Sequence, residues 1–171
     1  MPPGLNAVDG FLNMLRQIDR GQREFDAVAY TRSVLEFDAD ASQAAVLAAG
    51  SPGGAPMRLL LCCSRQWGKS TTAAALITHR AVSQQGALVL CVAPTLRQSA
   101  ELVRKVIEFL KQAKVEFHGG KLGCELRNGS RIVAVPGQEA NVRGFSAPSL
   151  IVIDEAARVP DLLYKAIRPM L

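Results

Sequence analysis

The sequence predicts an α/β fold in which a mainly parallel β-sheet is sandwiched by helices, with a small β-hairpin excursion around residues 115–135. Three observations carry that expectation. Short apolar, β-prone runs alternate with longer segments of helical periodicity. A Gly-Lys-Ser tripeptide stands where one such run passes into a helix, and two adjacent carboxylates, Asp154 and Glu155, close another run.

With 171 residues, 49% hydrophobic and 20% charged, the chain has the composition of one globular domain with a sizeable core. No stretch approaches the roughly 18 uninterrupted apolar residues of a helical membrane span, and Met1-Pro2-Pro3-Gly4 lacks a charged-then-apolar signal pattern. A cytoplasmic protein without a membrane partner is expected. The four cysteines, Cys62, Cys63, Cys91 and Cys124, have neither CxxC spacing nor neighbouring histidines and read as reduced core residues. Net charge is +5, unevenly spread: residues 1–50 hold four Lys/Arg against seven Asp/Glu, residues 51–171 sixteen against eight. A basic second part is compatible with a polyanionic partner, as it is with many domains that have none.

The elements follow in order. Leu5, Val8, Phe11, Leu12, Leu15 and Ile18 fall at helical spacing, which predicts an amphipathic helix in an N-terminal segment, residues 1–33. The main domain is expected over residues 34–171. Within it a helix over about 39–49 stops at Gly50-Ser51-Pro52-Gly53-Gly54. Leu59-Leu60-Leu61-Cys62 reads as a strand, followed by a loop and a helix over 71–82. Residues 87–93 repeat the strand pattern up to Pro94, and 96–114 the helical one, with Val103, Val106, Ile107 and Leu110 on one face. Gly119-Gly120 and Asn128-Gly129 are turn signals around β-prone pieces at 124–126 and 131–135, the expected hairpin. Leu150-Ile151-Val152-Ile153 is a further strand, and Pro160 interrupts the short helix after it.

A strand, a glycine-containing loop and a helix start aim backbone N–H groups and the positive helix end at one point, which suits a triphosphate. Lys69 supplies a point charge for the β and γ oxygens, Ser70 a hydroxyl ligand for magnesium, and Gly68 a close backbone approach. The loop is a P-loop with one departure, Cys63 at the position of the first glycine in GxxxxGK[ST]. Asp154 and Glu155 end a strand at the sheet edge where such folds bind ligands. Asp154 is expected to hold magnesium, and Glu155 to orient and deprotonate the attacking water. Both residues also suit the start of a helix, a role that does not compete with catalysis.

Four segments together resemble the large terminase subunit, the ATPase that packages DNA into tailed-phage capsids, over residues 34–171. They are Cys63-Ser64-Arg65-Gln66-Trp67-Gly68-Lys69-Ser70-Thr71, Ala93-Pro94-Thr95-Leu96-Arg97-Gln98-Ser99, Arg143-Gly144 and Asp40-Ala41-Ser42-Gln43. The resemblance implies a P-loop NTPase fold, with ATP and Mg2+ held by the loop residues from Ser64 to Thr71. It implies that Arg65 senses or stabilises γ-phosphate charge, and that Gln43 pairs with the edge of adenine; a solvated helix glutamine without that role is an equal alternative. The family often has an aromatic residue where this chain has Ser42. Trp67 reads as a packing residue. Arg143 either acts on the nucleotide, on a neighbouring subunit, or on its own loop. Double-stranded DNA, the portal protein, the small terminase subunit and further copies in a ring are the implied partners, in the host cytoplasm. The chain stops before the family's coupling segment and RNase H-like nuclease domain, so DNA cleavage is not expected of it.

Arg97, Arg104 and Lys111 recur at seven-residue spacing, but Glu101 and Glu108 interleave with them and predict a salt-bridged exposed face. Thr95 and Arg97, just after a strand, are the better DNA-side candidates. Three functions remain open at this point: a DNA-translocating terminase ATPase, a helicase-like nucleic-acid ATPase, and a nucleotide-binding assembly module that does not hydrolyse ATP.

Overall fold

The computed structural model describes residues 26–51, 58–136 and 144–170. The expected helix over residues 5–20 and the candidate Arg143 lie outside them. The described residues form, in chain order, α1 (Ala27–Val34), α2 (Ala41–Ala49), α3 (Lys69–Ser83), β1 (Leu88–Ala93), α4 (Leu96–Gln112), β2 (Phe117–Gly120), β3 (Gly123–Leu126), β4 (Arg131–Pro136), β5 (Leu150–Ile153) and α5 (Asp161–Ile167). A single 3-10 turn over Ala156–Arg158 separates β5 from α5.

The sheet runs in the order β2-β3-β4-β1-β5. Strand β1 pairs in parallel with β4 on one side and β5 on the other, while β3 pairs antiparallel with both β2 and β4. All six residues of β1 are buried, because successive side chains alternate between two covered faces. Val89 and Cys91 point into a core with Ala74, Ile77 and Ala81 of α3 and Leu102, Val103, Val106 and Leu110 of α4. Leu88, Leu90 and Val92 point the other way, onto Leu163 and Ile167 of α5. A third cluster packs Ala27, Tyr30 and Leu35 with Leu47 against Ala75 and Leu76, so α1 and α2 cover the flank of α3.

The hairpin expected around residues 115–135 is present in the antiparallel strands β2, β3 and β4, and it is continuous with the main sheet. Its last strand, β4, is the parallel neighbour of β1 and carries β3 and β2 outward with it. Side chains of the Asn128-Gly129 turn hold it there. Asn128 Nδ2 donates to the Ala81 carbonyl at 2.9 Å and Ser130 Oγ to the Gln84 carbonyl at 2.8 Å, closing the C-terminal end of α3.

Leu59-Leu60-Leu61-Cys62, expected as a strand, is not one. Leu59, Leu60 and Leu61 are 48%, 85% and 47% exposed, and residues 58–64 carry no regular structure. An apolar run becomes a strand only when a neighbour accepts its ladder of hydrogen bonds, and no strand among the described residues lies beside this one. The cysteine expectation divides at the same place. Cys91 and Cys124 are buried in the core, whereas Cys62 is exposed and Cys63 half-buried, and all four are free.

Candidate nucleotide site

The site lies where the loop before α3 meets the C-terminal end of β5. Gly68 is the N-cap of α3 with φ +87°, a left-handed conformation that glycine adopts without a Cβ penalty, and among the described residues no side chain caps the start of the helix. Gln66, at φ 65°, makes the second left-handed turn of the loop. Ser64, Arg65 and Gln66 are exposed, Trp67 and Gly68 half-buried. Ser70 and Thr71 follow Lys69 in the first helical turn, both half-buried.

Asp154 is fixed by the sheet, since its backbone N–H donates to the Val92 carbonyl at 2.8 Å. Its carboxylate Oδ1 stands 3.5 Å from Lys69 Nζ, with the side chains 23% and 49% exposed respectively. Residues 85 positions apart in the chain thus bring a phosphate-type ammonium and a carboxylate to one spot. Oxygen ligands from Asp154 and the Ser70 hydroxyl are of the hard type that suits Mg2+, and the carboxylate here already draws a cation. That donor set fits a magnesium–triphosphate.

Glu155 turns sharply away from the strand, with φ 51° and ψ 43°. Its Oε2 accepts hydrogen bonds from Gln98 Nε2 at 2.9 Å and from Arg158 Nη1 at 3.4 Å. Gln98 is itself oriented by Thr95, whose hydroxyl donates to Gln98 Oε1 at 2.8 Å and accepts from the Gln98 N–H as the cap of α4. Thr95 and Arg97 are exposed on this same segment, and Thr95 is linked to the Glu155 carboxylate through Gln98. Gln98 and Arg158 were not singled out by sequence reasoning. The Thr95-x-x-Gln98 spacing is a capping-box signal, but it points to a helix start and says nothing of Glu155. The exposed stripe of α4 is salt-bridged as expected, Arg104 pairing with Glu101 at 2.9 Å and Glu108 at 2.6 Å.

Gln43 lies against the loop. Its Nε2 donates to the Trp67 carbonyl at 2.8 Å, and its Oε1 accepts from the Asp40 N–H at 3.0 Å as part of the capping box of α2. Ser42 Oγ accepts from the Trp67 indole at 3.1 Å and donates to Asp40 Oδ1 at 2.6 Å. Hydrogen bonds from the Ser42 hydroxyl, then from the Gln43 N–H, hold the Asp40 carboxyl below the usual carboxylate range.

The model of the terminase large subunit family, T4likevirus-type, N-terminal part, matches residues 60–171, which span the loop, β1, the antiparallel strands and the Asp154-Glu155 strand. The chain belongs to this family. Among solved structures, the large terminase ATPase domain of Thermus phage P74-26 is similar, with 21% sequence identity and a TM-score of 0.57. The likeness covers 64% of this terminase chain and 53% of that one, so the chain spans about half the length of that structure, with which it shares the fold. No curated protein matches the chain. Among the described residues of this terminase domain, no helix is long and apolar enough to cross a membrane.

Proposed function

We propose that this chain is an ATP-hydrolysing domain of a DNA-packaging terminase. The observation that supports this best is the meeting of Lys69 and Asp154 at 3.5 Å, with Glu155 next in the chain. Lys69 neutralises the β and γ oxygens of ATP, and the uncapped N–H groups at the start of α3 add the helix-end field. Ser70 and Asp154 hold magnesium, which supplies charge stabilisation on the phosphate oxygens. Glu155 accepts a proton from water as that water attacks the γ-phosphorus, and the bond from γ-phosphorus to the bridging oxygen breaks to release ADP and phosphate. Arg65, exposed in the loop, offers a planar guanidinium to the γ-phosphate.

Family membership supports a wider role. Hydrolysis drives translocation of double-stranded DNA into a capsid, with the portal protein and small terminase subunit as partners, further copies in a ring, and Arg143 as a candidate trans-acting group. Thr95 and Arg97 are the DNA-side candidates that lie next to the Glu155 network.

ATP turnover by Lys69→Ala and Glu155→Gln tests the reading. Lys69→Ala is expected to lose ATP affinity, while Glu155→Gln retains affinity and loses turnover by about 100-fold or more. Unchanged turnover in both variants, or no turnover by the wild type with DNA present, overturns it.

A further inference from the structure

Gln43 and Trp67 form a latch between α2 and the phosphate loop. Both ends of the Gln43 amide are engaged, Oε1 by the Asp40 N–H and Nε2 by the Trp67 carbonyl, and the side chain is buried. A base-reading glutamine needs its carbonyl and its amide together for the edge of one purine, and here they face α2 and the loop instead. Nε2 also sits directly beside Gly68, where an added Cβ would come within 3.0 Å of it. A second bond crosses the same gap in the opposite sense, from the Trp67 indole to the Ser42 hydroxyl.

The carbonyl of Trp67 and the N–H of Gly68 belong to one planar trans peptide, so they point in opposite directions. A donor that holds the carbonyl toward α2 therefore aims the Gly68 N–H away from α2, into the loop that opens α3. That N–H belongs to the set of loop donors that receive phosphate oxygens in a site of this type. We infer that Gln43 is a positioning residue for the phosphate loop, acting through the Trp67–Gly68 peptide, and that it contributes to affinity for the polyphosphate rather than to recognition of the base. The capping box of α2 is the rigid anchor, since Asp40 accepts from the N–H groups of Ser42 and Gln43 at 2.8 and 2.9 Å. The inference rests on the loop being a polyphosphate site.

Gln43→Glu separates the two roles. A glutamate at the third position of a capping box still accepts from the Asp40 N–H, so α2 keeps its start. It places a carboxylate oxygen against the Trp67 carbonyl where a donor stood. Titration of the full chain with magnesium-ATP and with inorganic tripolyphosphate, which has no base, gives the test. The latch predicts that both ligands weaken by the same factor, about tenfold for a lost hydrogen bond and its repulsive replacement. Loss of ATP affinity with tripolyphosphate affinity intact overturns it in favour of base reading, and no change in either overturns it outright.

Trp67 is the chain's only tryptophan, so its emission reports the latch without any ligand. Gln43→Glu, and separately Ser42→Ala, are expected to increase quenching of Trp67 by acrylamide and to shift its emission to the red, with helix content unchanged by circular dichroism. An unchanged spectrum in both variants sinks the latch. If the wild type binds neither polyphosphate, the nucleotide reading fails while the emission measurement still decides whether α2 holds the loop.

Discussion

Glu155 is held by its surroundings rather than by its own preference. A non-glycine residue in the left-handed region costs about 1–2 kcal/mol, and Glu155 stands there at φ 51°. What offsets that cost is local: its N–H donates to Asp154 Oδ1 at 3.0 Å, and its carboxylate accepts from Gln98 and Arg158. Of the two carboxylate donors, Gln98 is the shorter at 2.9 Å and comes from the start of α4, next to the exposed Thr95 and Arg97. Gln98→Leu keeps the side-chain volume and removes the donor. It is expected to lower the turnover number about tenfold with ATP affinity unchanged, since the bond steers a carboxylate and touches no phosphate. Equal loss in affinity and turnover would assign Gln98 a bulk packing role instead. The positions of Lys69, Ser70, Asp154 and Glu155 relative to their motifs are legible in the sequence, because each motif lies within a few consecutive residues. The partner Gln98 is not: its link to Glu155 spans 57 positions and no local pattern encodes it.

Two apolar runs that look alike in sequence behave oppositely as elements. Residues 88–93 and 59–62 are both short and apolar and both precede a helix, which is why each reads as a strand. Only the first has neighbours on both sides, and its Leu90 is fully buried, while Leu60 is 85% exposed. Leu90→Ala is therefore expected to destabilise the fold by about 2–5 kcal/mol, the range for a buried leucine truncated in a packed core. Leu60→Ser is expected to stay within about 0.5 kcal/mol of wild type. Denaturant unfolding of both variants checks the contrast, and a large loss for Leu60→Ser would mean that the run is packed after all. For α4 the sequence suffices: Leu102, Val103, Val106 and Leu110 recur on one face and are buried, and the charged residues between them pair on the other. β4 differs. Its β character is visible in Arg131–Val135, but its place between β3 and β1 depends on Asn128 and Ser130 reaching the end of α3.

For the whole molecule, the sheet with both faces covered sets which groups solvent can reach. Burial pushes the Cys91 thiol up to about 12, with the nearby Cys124 adding to it, and pushes Cys124 up to about 11. Cys62 and Cys63 lie outside that core. A thiol-specific reagent at neutral pH is expected to label Cys62 quickly and Cys63 more slowly, and to reach Cys91 and Cys124 only after unfolding. Peptide mapping of the native and denatured chain distinguishes this from a core that opens locally. By itself the sequence determined the α/β class, the helix faces, the Gly-Lys-Ser helix start and the carboxylate pair, because each is written in the spacing of neighbouring residues. Only the tertiary structure decided that β4 inserts beside β1, that Leu59–Leu61 gains no strand neighbour among the described residues, and that Gln43 spends its amide on the loop. The physical reason is common to all three: periodicity reports which side of a segment is apolar, whereas a hydrogen bond goes to whichever partner the folded chain brings within about 3 Å.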